Sequence, residues 1–334
     1  MIDATMAAAF PPYDDQVRAF YRMLEYQLGW RNECLQRQVA TSGKLIRPRL
    51  CLLACRLVGG DERRALPVAA AVELLHNFTL VHDDIQDQSP LRRGRPTVWY
   101  LWGAVQGITV GDALCAVCHR ALYQLVDAGV AAELALHIAR HFDDTLLRIT
   151  EGQYLDVAFE DRLDLTEADY LAMIERKTAT LIAGALTMGA LAGGGMRAAG
   201  RALAAYGRAL GLAYQIQDDL LGIWGDPTVT GKPVHEDLYR RKKSLPVVYA
   251  LAHAERQDQA RLHAIYGSRA DINERDIEQL LAILERVGAQ DYAEQQAVHY
   301  HAAAITALNE VAGGDHAAHM ELRNVADSLQ RRAQ

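Results

Sequence analysis

Apolar and polar residues alternate along this chain with the period of α-helices, and nowhere with the two-residue period of half-buried strands. The plainest case is Ala69 to Val81, apolar nearly all the way round and free of Pro and Gly, which predicts a buried helix. From Val17 to about Val39, Phe20, Met23, Leu24, Leu28 and Leu35 recur at helical spacing. The run Gly43 to Arg49 breaks that pattern before Leu50 to Val58 resumes it. Gly103 to Val126 and Val130 to Val157 predict two long helices. Thr166 with Asp169 marks a helix N-terminus, and that helix runs through Ile174, Lys177 and Thr178 toward Leu191, ending at the Gly193 to Gly195 triplet. A further apolar helix spans about Ala199 to Leu221, and Ile223 to Pro227 is turn chemistry. The remainder, to Gln334, is helical in pattern with charged outer faces. No repeat and no Pro-, Gly- or Ser-rich linker interrupts the chain, which predicts one all-α domain over residues 16–334 behind a flexible tail, 1–15.

Composition narrows the function. Half of the 334 residues are hydrophobic, enough for a sizeable core, and 42 acidic against 35 basic residues leave a formal charge of −7, which argues against a nucleic-acid surface. Five cysteines do not suit a secreted disulfide framework. Cys115 and Cys118 with His119 resemble half a zinc site, but no second such cluster completes four ligands, so buried thiols are the better reading. With no basic-then-apolar leader and no run of about 18 apolar residues, the expectation is a soluble cytoplasmic protein.

Chemistry concentrates where apolar helices end. After Val81 come His82, Asp83, Asp84 and Asp87, then Arg92, Arg93 and Gly94. Asp83 and Asp87 are four apart and share a helical face, so both can approach one cation. Oxygen ligands of this kind suit Mg²⁺, held by one or two carboxylates together with substrate phosphate, and the arginine pair supplies a phosphate clamp. Far along the chain a second apolar helix delivers Gln215, Asp218 and Asp219, with Gly231-Lys232 and Arg240 to Lys243 following. Two such ends imply a greasy cavity whose mouth binds metal and phosphate, the arrangement an amphiphilic diphosphate requires. His76, seven residues before Asp83, falls within about 20° of the same face.

The ordered set Gly43-Lys44, Arg47-Pro48, His76, Asp83-Asp84 with Asp87, Arg92-Arg93-Gly94, Gly152-Gln153, Lys177-Thr178, Gln215 to Asp219, Gly231-Lys232 and Lys242 resembles the trans-isoprenyl diphosphate synthase family, bacterial geranylgeranyl diphosphate synthases most of all. The resemblance implies a bundle of about ten or more helices around a central apolar cavity. It implies a homodimer, about three Mg²⁺ ions per site, and head-to-tail condensation of isopentenyl diphosphate with an allylic diphosphate. Asp83, Asp84, Asp87, Asp218 and Asp219 would be the metal residues. Arg92, Lys177, Thr178, Gln215, Lys232 and Lys242 would hold the allylic diphosphate, and Lys44, Arg47, His76 and Arg93 isopentenyl diphosphate. Asp83, Asp87, Arg92, Lys177 and Asp218 would carry the catalysis. Released pyrophosphate would take the proton, so no side-chain base is assigned.

Two features depart from or refine that picture. The second motif has Gly222 where the family usually has its last aspartate, which shifts the load to Asp218, with Asp237 as a further carboxylate. Product length would be set near the first motif, where Phe78, five residues before Asp83, resembles medium-chain synthases making the twenty-carbon product. Helical periodicity alone points instead to Thr79 or Leu75, since Phe78 lies about 140° round from Asp83. Alternatives are a shorter or longer product, a terpene cyclase, which leaves Lys44, Arg47 and Arg93 without a task, and a non-catalytic partner subunit, which would not need an intact first acidic motif.

Overall fold

The computed structural model describes residues 1–39, 43, 45–227, 234–311 and 314–330. It is helical, as the hydrophobic period predicts, and its contacts group into two compact units. The first comprises Met1–Asp143, Ala185–Gly200 and Gly313–Ala318; the second comprises Asp144–Gly184, Arg201–Ala312 and His319–Gln334.

The first unit holds α1 (Ile2–Ala9), α2 (Arg18–Gln27), α3 (Ile46–Leu57), α4 (Glu62–Gln86), α5 (Val98–Trp102) and α6 (Ala104–Asp127); α1, α3, α5 and α6 pack against α4, and α2 against α5 and α6. Asp61 caps α4 by accepting from the Arg63 N–H, satisfying one of the helix's orphan donors. Ala65 and Pro67 to Leu75 are buried, and His76 to Leu80 are all partly exposed. The helix is thus fixed by its first half and presents chemistry from its second. By length and composition α4 could cross a membrane, but most of it is buried inside the fold. A two-stranded ribbon, β1 (Leu91–Arg92) paired with β2 (Arg95–Pro96), follows α4. It is too short to leave an alternation in the sequence. Both residues of its turn, Arg93 and Gly94, have positive φ, as a tight two-residue hairpin of this hand demands.

The second unit takes in most of α7 (Ala132–Phe159), α8 (Glu167–Ile174), a π-helical turn at Glu175–Ala179 and most of α10 (Arg197–Trp224). α9 (Thr180–Ala192) continues from the π turn and contributes to both units. Thr166 and Asp169 form the capping box the sequence suggests. Apolar clusters around Tyr170, Ile216, Leu220, Leu245 and Val248, and around Leu262, Leu280, Ile283 and Leu284, form its interior.

Two stretches depart from the sequence pattern. Helix α2 stops at Gln27 instead of running to Val39, because Gly29 and Leu35 adopt left-handed backbone and Asn32 accepts from the Cys34 and Gln36 N–H groups, an alternative the helix cannot match. Nor are residues 1–15 a tail throughout: α1 buries Met6 and Ala9, and Arg120 donates to the Ala9 carbonyl at 2.7 Å. Met6→Ala should therefore lower unfolding free energy by about 2–5 kcal/mol, the usual cost of emptying a buried Met site, read from urea unfolding; a truly loose segment would show no change.

Candidate active site

In the first unit, the end of α4 divides its aspartates by environment. Asp84 is buried (2% exposed) and accepts from Arg92 Nε at 2.6 Å. Burial pushes its carboxyl up to about 6, against the pull of Arg92 and with a further push from Asp83 and Asp87. Asp83 is partly exposed, and Asp87, at the helix C-cap, is exposed. The sequence groups all three as metal residues, whereas the fold turns Asp84 inward to hold Arg92.

Arg47, at the start of α3, meets His76 of α4, with Nη1 3.2 Å from Nε2. A guanidinium can only donate, so the imidazole accepts at Nε2 and carries its proton at Nδ1. Burial, then Arg47, Arg93 and Arg92, holds His76 well below the usual histidine range, which keeps it neutral. Arg93, held in left-handed backbone, lays its guanidinium against Gly43, where a Cβ would overlap it. Arg47, His76 and Arg93, predicted as one subsite, therefore do come together. Glu73 and Asn77 belong with them and were not singled out. Glu73 is buried, its carboxyl raised by burial and lowered by Arg47 and Arg93, and Asn77 Nδ2 donates to its Oε1 at 3.2 Å. The signal was available: Glu73 is the one charged residue between Ala65 and Leu75, and buried carboxylates are rarely without a partner. Lys44 lies outside the described residues. Thr79 donates its hydroxyl to the His76 carbonyl of its own helix at 2.8 Å.

In the second unit the pivot is Asp219, fully buried on α10. Oδ1 accepts from Lys242 Nζ at 3.0 Å and Gln215 Nε2 at 3.1 Å, and Oδ2 accepts from the Tyr170 hydroxyl and from the Leu245 N–H at 3.1 Å. A carboxylate offers about four lone-pair sites, and all are taken. Asp219 is therefore a holder of side chains, both its oxygens being met by protein donors, whereas its neighbour Asp218 is partly exposed. Gln215 in turn accepts from Thr178 Oγ1 at 2.8 Å. Burial alone would depress the Lys242 ammonium, but Asp219, Asp237 and Asp218 outweigh it and hold the group charged well above its usual range.

Lys177 and Thr178 lie in the π turn Glu175–Ala179, a register irregularity common at functional sites. Two glycines admit it: a Cβ at Gly152 would collide with the Lys177 backbone and one at Gly211 with Ala179. Lys177 is ion-paired with Asp156, a second carboxylate not singled out beforehand. Lys232 lies outside the described residues.

The missing aspartate of the second motif has a structural answer. A Cβ at Gly222 would overlap the carboxylate of Asp237, which is buried and accepts from Lys242 Nζ at 3.2 Å. A carboxylate from the short helix Glu236–Tyr239 thus occupies the space that a side chain at 222 would need. Among the described residues no group of three or more His, Cys, Asp or Glu side chains is already gathered as a metal cage. At each helix end taken by itself the donors are carboxylate oxygens, a type that fits an ion completed by phosphate and water.

Residues 29–284 match the family model described as polyprenyl synthetase. The chain belongs to the polyprenyl synthetase family. It is 45% identical over 231 residues to the (2E,6E)-farnesyl diphosphate synthase of Mycobacterium tuberculosis, a match covering 69% of this chain and 63% of that one. Its fold is similar to the crystal structure of a polyprenyl synthetase from Streptomyces coelicolor, with a TM-score of 0.88, 33% identity and coverage of 98% and 95% of the two chains. It is also similar to a geranylgeranyl pyrophosphate synthase from Corynebacterium glutamicum complexed with isoprenyl diphosphate and magnesium, with a TM-score of 0.83, 25% identity and coverage of 99% and 96%.

Tyr170→Phe leaves one Asp219 lone pair buried without a donor and should cost about 1–3 kcal/mol in urea unfolding. Gly222→Asp, which restores the usual motif, should lower the melting temperature, because the new side chain competes with Asp237 for one space. A rise in stability on that change would refute this account of residue 222.

Proposed function

We propose that the chain is a magnesium-dependent prenyltransferase that condenses isopentenyl diphosphate head-to-tail with an allylic diphosphate and releases pyrophosphate, with geranylgeranyl diphosphate as its main product. The observation that carries this reading is the division of labour within both aspartate pairs. Asp84 and Asp219 are buried and spend their charge on Arg92 and Lys242, while Asp83, Asp87 and Asp218 stay partly or fully exposed. We assign those three to the ions and assign Arg92, Lys177, Thr178, Gln215, Lys232 and Lys242 to the allylic diphosphate. Lys44, Arg47, His76 and Arg93 are assigned to isopentenyl diphosphate.

Magnesium, when bound, supplies charge that stabilises the departing pyrophosphate. The chain's own part is to fix cations before the bond breaks. Arg92 is steadied by Asp84, Lys177 by Asp156, and Lys242 by Asp219 and Asp237. Prepositioned charge of this kind needs no reorganisation as negative charge develops, and it is worth several kcal/mol to the transition state. The carbon–oxygen electron pair leaves with pyrophosphate, the alkene of isopentenyl diphosphate attacks the allylic cation, and pyrophosphate takes the proton lost. Neutral His76, accepting from Arg47, holds that guanidinium without adding a competing charge.

Product length is the finer part of the reading. The first acidic motif has no insertion between Asp83 and Asp87, and Phe78 precedes it, which favours the twenty-carbon product over the fifteen- and twenty-five-carbon ones. We also propose a soluble cytoplasmic homodimer. One face of α6 leaves large apolar side chains exposed toward both ends, Val105 and Ile108 at one and Tyr123 and Val126 at the other, which a second copy can cover by a symmetric helix contact. Tyr123→Glu with Val126→Glu should convert a two-chain particle to a one-chain particle in light scattering.

The assay that tests the activity is incubation with labelled allylic diphosphate and Mg²⁺, with and without isopentenyl diphosphate. Elongated prenyl diphosphate should form only with both. Hydrocarbon from the allylic substrate alone would identify a cyclase, and turnover only after adding another synthase would identify a partner subunit. Asp218→Asn should lower kcat on the order of a hundredfold, as loss of one charge-stabilising group does, with little change in melting temperature. Asp219→Asn should instead reduce stability first.

A further inference from the structure

The seam between α4 and α6 is built on two glycines one helical turn apart. At Gly107 a Cβ would lie 2.8 Å from Ile85 Cδ1, and at Gly111 it would run into three ring atoms of His82. Phe78, His82 and Ile85 are spaced four and three apart, so they occupy one face of α4, the face that sinks into the glycine strip. His82 is held there from several sides. Its Nε2 is 3.3 Å from the Ile108 carbonyl, which can only accept, so the proton is on Nε2. Asp112 Oδ1 lies 3.8 Å away. The Phe78 ring meets the imidazole edge-on, 4.9 Å between centroids at 67°.

Phe78 is partly exposed, in the stretch where α4 ceases to be core, and about 7.5 Å of helix rise from Asp83. Its ring has no other aromatic partner among the described residues. Without a brace, a side chain in such a place would rotate aside when a lengthening apolar tail pressed on it. We infer that His82 is a positioning residue for product length: seated on Gly111, its ring braces Phe78 so that Phe78 stands as the end wall for the growing tail. This rests on the prenyltransferase reading above and on Phe78 as the limiting side chain. It assigns to His82 and Gly111 a part in specificity that no acid–base or metal role requires.

The test is chromatography of products from the purified full-length chain, because product length is a partition ratio and does not depend on the overall rate. Phe78→Ala and His82→Ala should each make the main product at least one isoprene unit longer. His82→Phe, which keeps a ring on Gly111 and against Phe78, should retain the wild-type length. Gly111→Ala, which unseats the imidazole from the α6 side, should act like His82→Ala and serves where that variant folds poorly. The double change Phe78→Ala with His82→Ala should match Phe78→Ala alone, since the brace has nothing left to hold. If Phe78→Ala lengthens the product while His82→Ala and Gly111→Ala do not, the brace is refuted and the end wall stands. If the double variant makes longer chains than Phe78→Ala, His82 is a wall in its own right and the brace is again refuted. If Phe78→Ala changes nothing, the end-wall reading fails and the brace with it.

Discussion

The four-donor shell around Asp219 is the interaction on which the placement of Lys242, Gln215 and Thr178 in the second unit depends. A buried carboxylate is costly unless its lone pairs are met, and meeting them ties α8 and the segment from Lys242 to Leu245 to one point on α10. The Tyr170 hydroxyl comes from α8, Gln215 from the same turn of α10, Lys242 from the loop after the short helix Glu236–Tyr239, and the Leu245 N–H from the start of the next helix. The group is thus an orienting device for Lys242 and Gln215, and through Gln215 for Thr178. The first unit repeats the logic more simply, with Asp84 holding Arg92 at the mouth of the ribbon.

A second constraint is backbone proximity. The π turn that presents Lys177 and Thr178 is wider than an α-helical turn, and neighbours accommodate it only by dispensing with side chains at Gly152 and Gly211. The same device recurs at Gly107 and Gly111 of α6, which admit α4, and at Gly189, where a Cβ would strike the Cys51 backbone. In each place a glycine serves close approach and not turn geometry, and the element it admits carries or supports a charged side chain used by the proposed chemistry, Gly189 excepted.

How far the sequence could be read follows from which forces are local. Helices α6 and α7 have the predicted extents within a few residues, and the Thr166 capping box is where its spacing puts it, because periodicity and capping depend on near neighbours. The helix at Ile2–Ala9 and the loop after Gln27 are not legible in the local pattern, since α1 is held by α4 and α6 far along the chain, and Asn32 redirects a backbone whose apolar spacing still looks helical. The order and type of the residues around the two acidic motifs were legible, and the structure brings several of them together, as with Arg47 and His76 or Lys242 and Asp219. The division of the aspartates into exposed and buried, cation-holding ones was not legible, because adjacent aspartates on a helix differ by about 100° in direction and only the surrounding packing decides which one turns inward.

Residue 222 shows the same limit from the other side. Read as a string, the motif has lost a carboxylate, and the loss suggests weakened metal binding. In three dimensions the volume is not vacant: Asp237 enters it, fifteen positions later in sequence, and shares Lys242 with Asp219. Negative charge at that place is therefore supplied by a different element, and its approach is possible only because residue 222 has no side chain. Glycine and distant aspartate form one unit, so neither can be judged by the motif in which it is written. The consequence for the chemistry is specific. Lys242 sits between two buried carboxylates, a setting that keeps it charged despite burial. In the proposed reaction, a cation held in that way presents the same charge to a diphosphate before and after the carbon–oxygen bond is cut.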